Sequence, residues 1–110
     1  MDNNTEQVQE LIIKDFELES VKEGLTEEEL FDILSNHIAY MIERQLEMLM
    51  SLMYRLDIDE KKVNYALSPF SPDLPNIGIA KLVLERQKQR VFTKAYYKQK
   101  PLEDLDGLEL

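Results

Sequence analysis

His37 is the first residue to weigh for chemistry, because imidazole is the side chain that most readily gains, loses or shares a proton near neutral pH. It is the only histidine in 110 residues, and the chain has no cysteine. A two-histidine metal site, an H-E-x-x-H zinc motif and a thiolate nucleophile therefore have no residues to build them within one chain. Di-iron bundles use Glu-x-x-His pairs, but the residue three before His37 is Leu34. The glycines at 24, 78 and 107 stand too far apart for a phosphate-cradling loop. With 22 acidic residues, pairs of carboxylates are too common to point to acid–base catalysis. The expectation is a protein that is not an enzyme and that holds no cofactor and no metal.

Three other patterns carry more information. Ile38-Ala39-Tyr40-Met41-Ile42-Glu43-Arg44-Gln45 recurs with one residue inserted as Ile79-Ala80-Lys81-Leu82-Val83-Leu84-Glu85-Arg86-Gln87. If the two helices cross near these points, Glu43 pairs with Arg86 and Arg44 with Glu85. Gln45 and Gln87 then complete an inter-helix polar layer that fixes register or lines a small-ligand pocket. In the second pattern Arg86, Arg90, Lys94 and Lys98 recur every fourth residue, with Tyr96 and Tyr97 beside them. Those residue types suit contact with a polyanion such as nucleic acid. The third is the acidic segment Leu102 to Leu110, in which Leu102, Leu105, Leu108 and Leu110 alternate with Glu103, Asp104, Asp106 and Glu109. It reads as a docking motif, a cover for the basic stretch, or a mobile tail.

Charge partitions sharply along the chain. Residues 1–60 carry a net charge of −12, residues 81–100 carry +6, the last ten carry −4, and the whole carries −9. The sequence pI of about 4.6 weighs against nucleic acid as the partner and against an anionic membrane surface. The simplest use of the basic stretch is to lie against the acidic segments of its own chain. A hydrophobic fraction of 44% with 32% charged residues is that of a globular domain. No apolar run reaches the roughly 20 residues that span a bilayer. The polar opening Met1 to Thr5 does not read as a signal peptide, so a cytoplasmic location is expected.

These patterns need helices to position them, and low Gly and Pro counts (3 and 4) favour an all-α fold. A first helix is expected over 5–23, stopped by Gly24, with a short strand at 16–21 as the competing reading. Thr26 and Glu29 form a capping box, with Leu25 and Leu30 as its hydrophobic staple. The helix they start meets no Gly or Pro before Pro69, and a second capping box, Asp57 to Glu60, sets its end near Leu56. A short helix over 58–67 follows, then a proline-rich loop pinned to the core by Phe70 and Leu74. A last helix runs from 76 or 77 to 98, with Ile77, Ala80, Leu84, Val91 and Ala95 facing the core. The expected fold is a small all-α bundle with one long central helix, a short helix and a second long C-terminal helix, in one domain (1–100) followed by an acidic tail (101–110).

A straight helix over 27–56 would be about 45 Å long, more than the roughly 34 Å diameter of a compact 110-residue globule. It must kink, project, or be covered by a second chain. Over 46–56 its polar residues Glu47, Ser51 and Arg55 fall, together with Glu43 before them, on one narrow stripe, leaving most of its circumference apolar. Met48, Met50, Met53 and Tyr54 are accordingly the candidate self-association residues. The functional expectation is a small helical protein acting through self-association as a homodimer and through contact with an unidentified protein partner. A nucleic-acid-binding regulator or a helical carrier of a small ligand is the alternative.

Overall fold

The computed structural model describes residues 3–18 and 24–99. Among them the fold is all-α, with helices α1 (Asn3–Asp15), α2 (Glu27–Arg44), α3 (Leu46–Arg55), α4 (Glu60–Ala66) and α5 (Pro75–Gln99). The expected all-α bundle is what forms, and the described part of 16–21 contains no strand. Residues 19–23 and the acidic segment 101–110 lie outside the described residues, as does the side chain of Lys98.

Helix ends follow local chemistry where that chemistry is strong. At α2 the Thr26 hydroxyl accepts from the Glu29 amide at 3.1 Å, and the Glu29 carboxylate accepts from the Thr26 amide at 3.0 Å. Leu25 and Leu30 flank this box and are both buried, so the staple closes as expected. The end of α1 differs from expectation. The left-handed residue that ends the helix is Glu17 (φ 51°), and the Leu18 amide reaches back to the Ile13 carbonyl at 2.9 Å; Gly24 is left-handed too (φ 70°) but lies well past this end. The same Schellman geometry closes α3: Asp57 has φ 59° and the Ile58 amide bonds to the Met53 carbonyl at 3.1 Å. Asp57 is thus the stop of α3 rather than the cap of α4. That cap is Asp59, whose Oδ1 accepts from the Lys61 amide at 2.9 Å.

The rod expected over 27–56 is interrupted at Gln45, which has φ −141° and ψ 46°. Its amide ends α2 by bonding to the Met41 carbonyl, and its carbonyl accepts the Leu49 amide that begins α3. No Gly or Pro marks the site. The break resolves the length problem, because two shorter segments can both turn a buried face inward: Leu30, Leu34, Ile38 and Met41 from α2, and Leu49, Leu52 and Met53 from α3.

The longest helix, and the one at the centre, is α5 rather than the 27–56 segment. It packs on α1, α2 and α4, while α3 packs on α2 and α4. Its buried line is Ile79, Val83, Gln87 and Val91, with Ala80 beside it. Ile77, Leu84 and Ala95, expected to face the core, are only half-buried. The face is turned because Gln87, skipped by an apolar count, sits at its middle. Pro75 opens α5 at the first helical position, where its missing N–H costs nothing. Asn76 Nδ2 donates to the Ser35 carbonyl at 3.2 Å and ties α5 to α2. Gly78 lets α4 approach closely: a Cβ there would stand 3.1 Å from the Ala66 Cβ. The loop before α5 is held by polar contacts instead of the expected apolar pins. Phe70 and Leu74 are 82% and 70% exposed, whereas Tyr65 Oη donates to the Phe70 carbonyl and Ser68 Oγ to that of Tyr65.

Candidate functional site

His37 lies at the edge of an aromatic group. Its ring meets Phe16 edge-on at 6.2 Å and Tyr40 at 6.3 Å between centroids. Among the described residues no three His, Asp or Glu side chains are arranged to hold a metal ion.

The six residues of the expected polar layer divide between two places. Glu43 and Arg44 are exposed at the end of α2, Gln45 occupies the helix break, and Glu85 is exposed on α5. Among the described residues the pairings Glu43–Arg86 and Arg44–Glu85 do not form. Arg86 is engaged elsewhere: its Nε donates to the Leu56 carbonyl at 2.9 Å, and its guanidinium lies 3.7 Å from the exposed Asp57 carboxylate. This contact satisfies a carbonyl at the end of α3, a role for arginine that a charge-pairing argument does not anticipate. Gln87 is fully buried, donates from Nε2 to Asp15 Oδ2, and accepts at Oε1 from Arg90 at 3.3 Å. The polar layer thus exists, but it joins α5 to α1 instead of to α2. The sequence signal for it was Gln87 on an apolar stripe; the partner, 72 residues away, left no local trace.

The candidate self-association residues also separate. Met53 is a core residue (2% exposed), so it is withdrawn from any surface role. Met50 is half-buried, while Met48 and Tyr54 are 57% and 87% exposed. With 100° between successive residues, Leu46, Met50 and Tyr54 lie on one stripe along α3, and Met48 lies on the opposite flank of the buried face. Leu46, 46% exposed, was missed because a helix expected to be covered all round gave no reason to single it out.

Arg86, Arg90 and Lys94 share one side of α5 and line a groove of about 770 Å³ against α1. Lys14 of α1 adds a fourth cation, which sequence separation had hidden. Phe92 and Tyr96 follow a different line on α5, well round the helix from the cations. Phe92 instead lines a second cleft of about 330 Å³ with Val8, Leu30 and Leu84, bridged at its edge by an ion pair between Lys88 and Glu27 at 2.5 Å. Part of the basic helix is therefore neutralised by acidic groups of its own chain, as Lys88–Glu27 and Lys81–Asp73 (3.0 Å) illustrate. Lys14 and Lys94 make no ion pair among the described residues. No helix among them is long and apolar enough to cross a membrane. No family model, no curated protein and no solved structure matches the chain.

Proposed function

We propose that the chain is a non-catalytic helical protein that acts by pairing with a second copy and through protein contact, with the Leu46–Met50–Tyr54 stripe of α3 as the seam. The observation that carries this reading is that α3 keeps an apolar line in solvent on a flank the described helices do not cover. Tyrosine and methionine are favoured at protein interfaces, where the ring offers large area for little entropy and the thioether adapts to a partner surface. The neighbouring stripe of α3, Glu47, Ser51 and Arg55, supplies a polar rim. A cytoplasmic location belongs to the same proposal and rests on the acidic, cysteine-free sequence.

Native mass by light scattering on a sizing column, at low and high salt, tests it. The expected mass is near 26 kDa, twice the 13.0 kDa of one chain, at both salts, because an apolar seam is not screened. Tyr54→Glu should give a folded monomer, since so exposed a ring contributes little to the core. A wild-type chain of 13.0 kDa at high concentration would overturn the reading.

A further inference from the structure

The groove between α1 and α5 gathers positive charge in an acidic molecule. Lys14 from α1 faces Arg86, Arg90 and Lys94 from α5; Glu10 is the one carboxylate lining the groove, and the exposed Asp57 lies 3.7 Å from Arg86 outside it, in a chain of net charge −9. The cations are spaced four residues apart, about 6 Å along the helix axis. Two are held in place: Arg86 by the Leu56 carbonyl and Arg90 by the buried Gln87. Apolar side chains, Leu11 and Val91, lie among them. A groove of this kind fits an occupant that is short, acidic and partly apolar. A nucleic-acid strand fits it less well. Neither Phe92 nor Tyr96 is among the residues lining the groove, so neither offers a ring there for base stacking, and a long polyanion would run onto the acidic body on either side.

We propose that this groove is the docking site of the chain's own acidic leucine segment, residues 102–110. That segment carries Glu103, Asp104, Asp106 and Glu109 and no cation, and Leu102, Leu105 and Leu108 recur every third residue between them. Its acidic residues match the row of cations, and its leucines match the half-buried Leu11. The geometry of the chain permits the contact. Lys94 is five residues, about 7.5 Å, from the end of α5 at Gln99. Ten residues reach at most about 36 Å, enough to return along the whole cation row, about 20 Å back to Arg86. Pro101 disfavours helical continuation at the start of the return. Tethering raises the effective concentration of the segment to the millimolar range, so weak contacts suffice. Docked there, the segment covers the cations.

The absence of native cysteine gives a clean test on the full chain. A spin label on Leu108→Cys is read by attenuation of amide signals in an isotope-labelled sample. Attenuation centred on residues 10–14 and 90–94 at low salt, and lost at about 0.5 M salt, is the expected result. Lys14→Glu combined with Lys94→Glu should abolish it; neither lysine makes an ion pair among the described residues, so helical content should be unchanged. Attenuation spread evenly, centred on Leu84 and Phe92, or retained in the reversed variant overturns the proposal. So does attenuation seen only when spin-labelled chains are mixed with separate isotope-labelled ones, which would assign the contact to another copy. The result does not depend on whether the mass is that of one chain or two.

Discussion

α3 and α5 treat the same rule in opposite ways. α3 is the more apolar helix, yet it leaves Leu46 and Tyr54 in solvent and holds Met50 half out. α5 is the more charged helix, yet the line Ile79, Val83, Gln87 and Val91 along it is buried, with the amide of Gln87 in its midst. The difference lies in what each helix is offered. α5 sits among α1, α2 and α4, and α1 presents Asp15 to the buried amide. Among the described residues α3 touches only α2 and α4 strongly, so they leave its far side little to pack on. Burial is set by the neighbours available, and a helix's own composition only makes it more or less costly.

The two helices differ most in how deeply their leucines and methionines count. Leu49→Ala on the buried side of α3 should cost about 2–5 kcal/mol in denaturant unfolding, whereas Leu46→Ala should stay within about 0.5 kcal/mol if the chain unfolds as a monomer. Equal losses at the two sites would erase the distinction between the faces. On α5, Gln87→Leu should cost about 1–3 kcal/mol, because Asp15 and Arg90 lose their buried partner. In an Asp15→Ala background the same change should cost clearly less; additive losses would show that the buried contact is not coupled.

Smaller effects sharpen the account of where the helices stop. Thr26→Ala should lower stability by about 1 kcal/mol through loss of the capping box. Asp57→Gly should raise it by under about 1 kcal/mol, since glycine takes the left-handed position without strain, and the exposed Asp57–Arg86 pair offsets little of that gain. A loss on Asp57→Gly would show that the ion pair outweighs the backbone. Least of all is expected from Arg44→Glu with Glu85→Arg: these exposed residues do not meet, so the double change should equal the sum of the singles within about 0.5 kcal/mol. Rescue by the second change would restore the α2–α5 pairing as the true one.

Several of these features were legible in advance. The Thr26–Glu29 box, the Leu25–Leu30 staple and the short helix before Pro69 depend on residues close in sequence, and each lies where it was expected. The excess length of the 27–56 helix was also legible, and with it the choice between a kink, a projecting end and a covering second chain. Its position at Gln45 was not, because Glu43 through Met48 are all good helix formers and no local preference selects one of them. The cation row was visible as a period of four, but Lys14 on the opposite wall was not, nor was the separation of Phe92 from that row across the helix. The polar layer was half legible: Gln87 announced a buried amide, and nothing local announced Asp15.

By itself the sequence determined the all-α class, the caps that start α2 and the sharp division of charge along the chain. Each of these follows from interactions within a turn or two of helix, or from composition alone. Only the tertiary structure decided where the long segment bends, which helix stands at the centre, which glutamine is buried and which methionine is exposed. The reason is that these outcomes depend on contacts between residues tens of positions apart, whose strength is set by what the other helices leave uncovered.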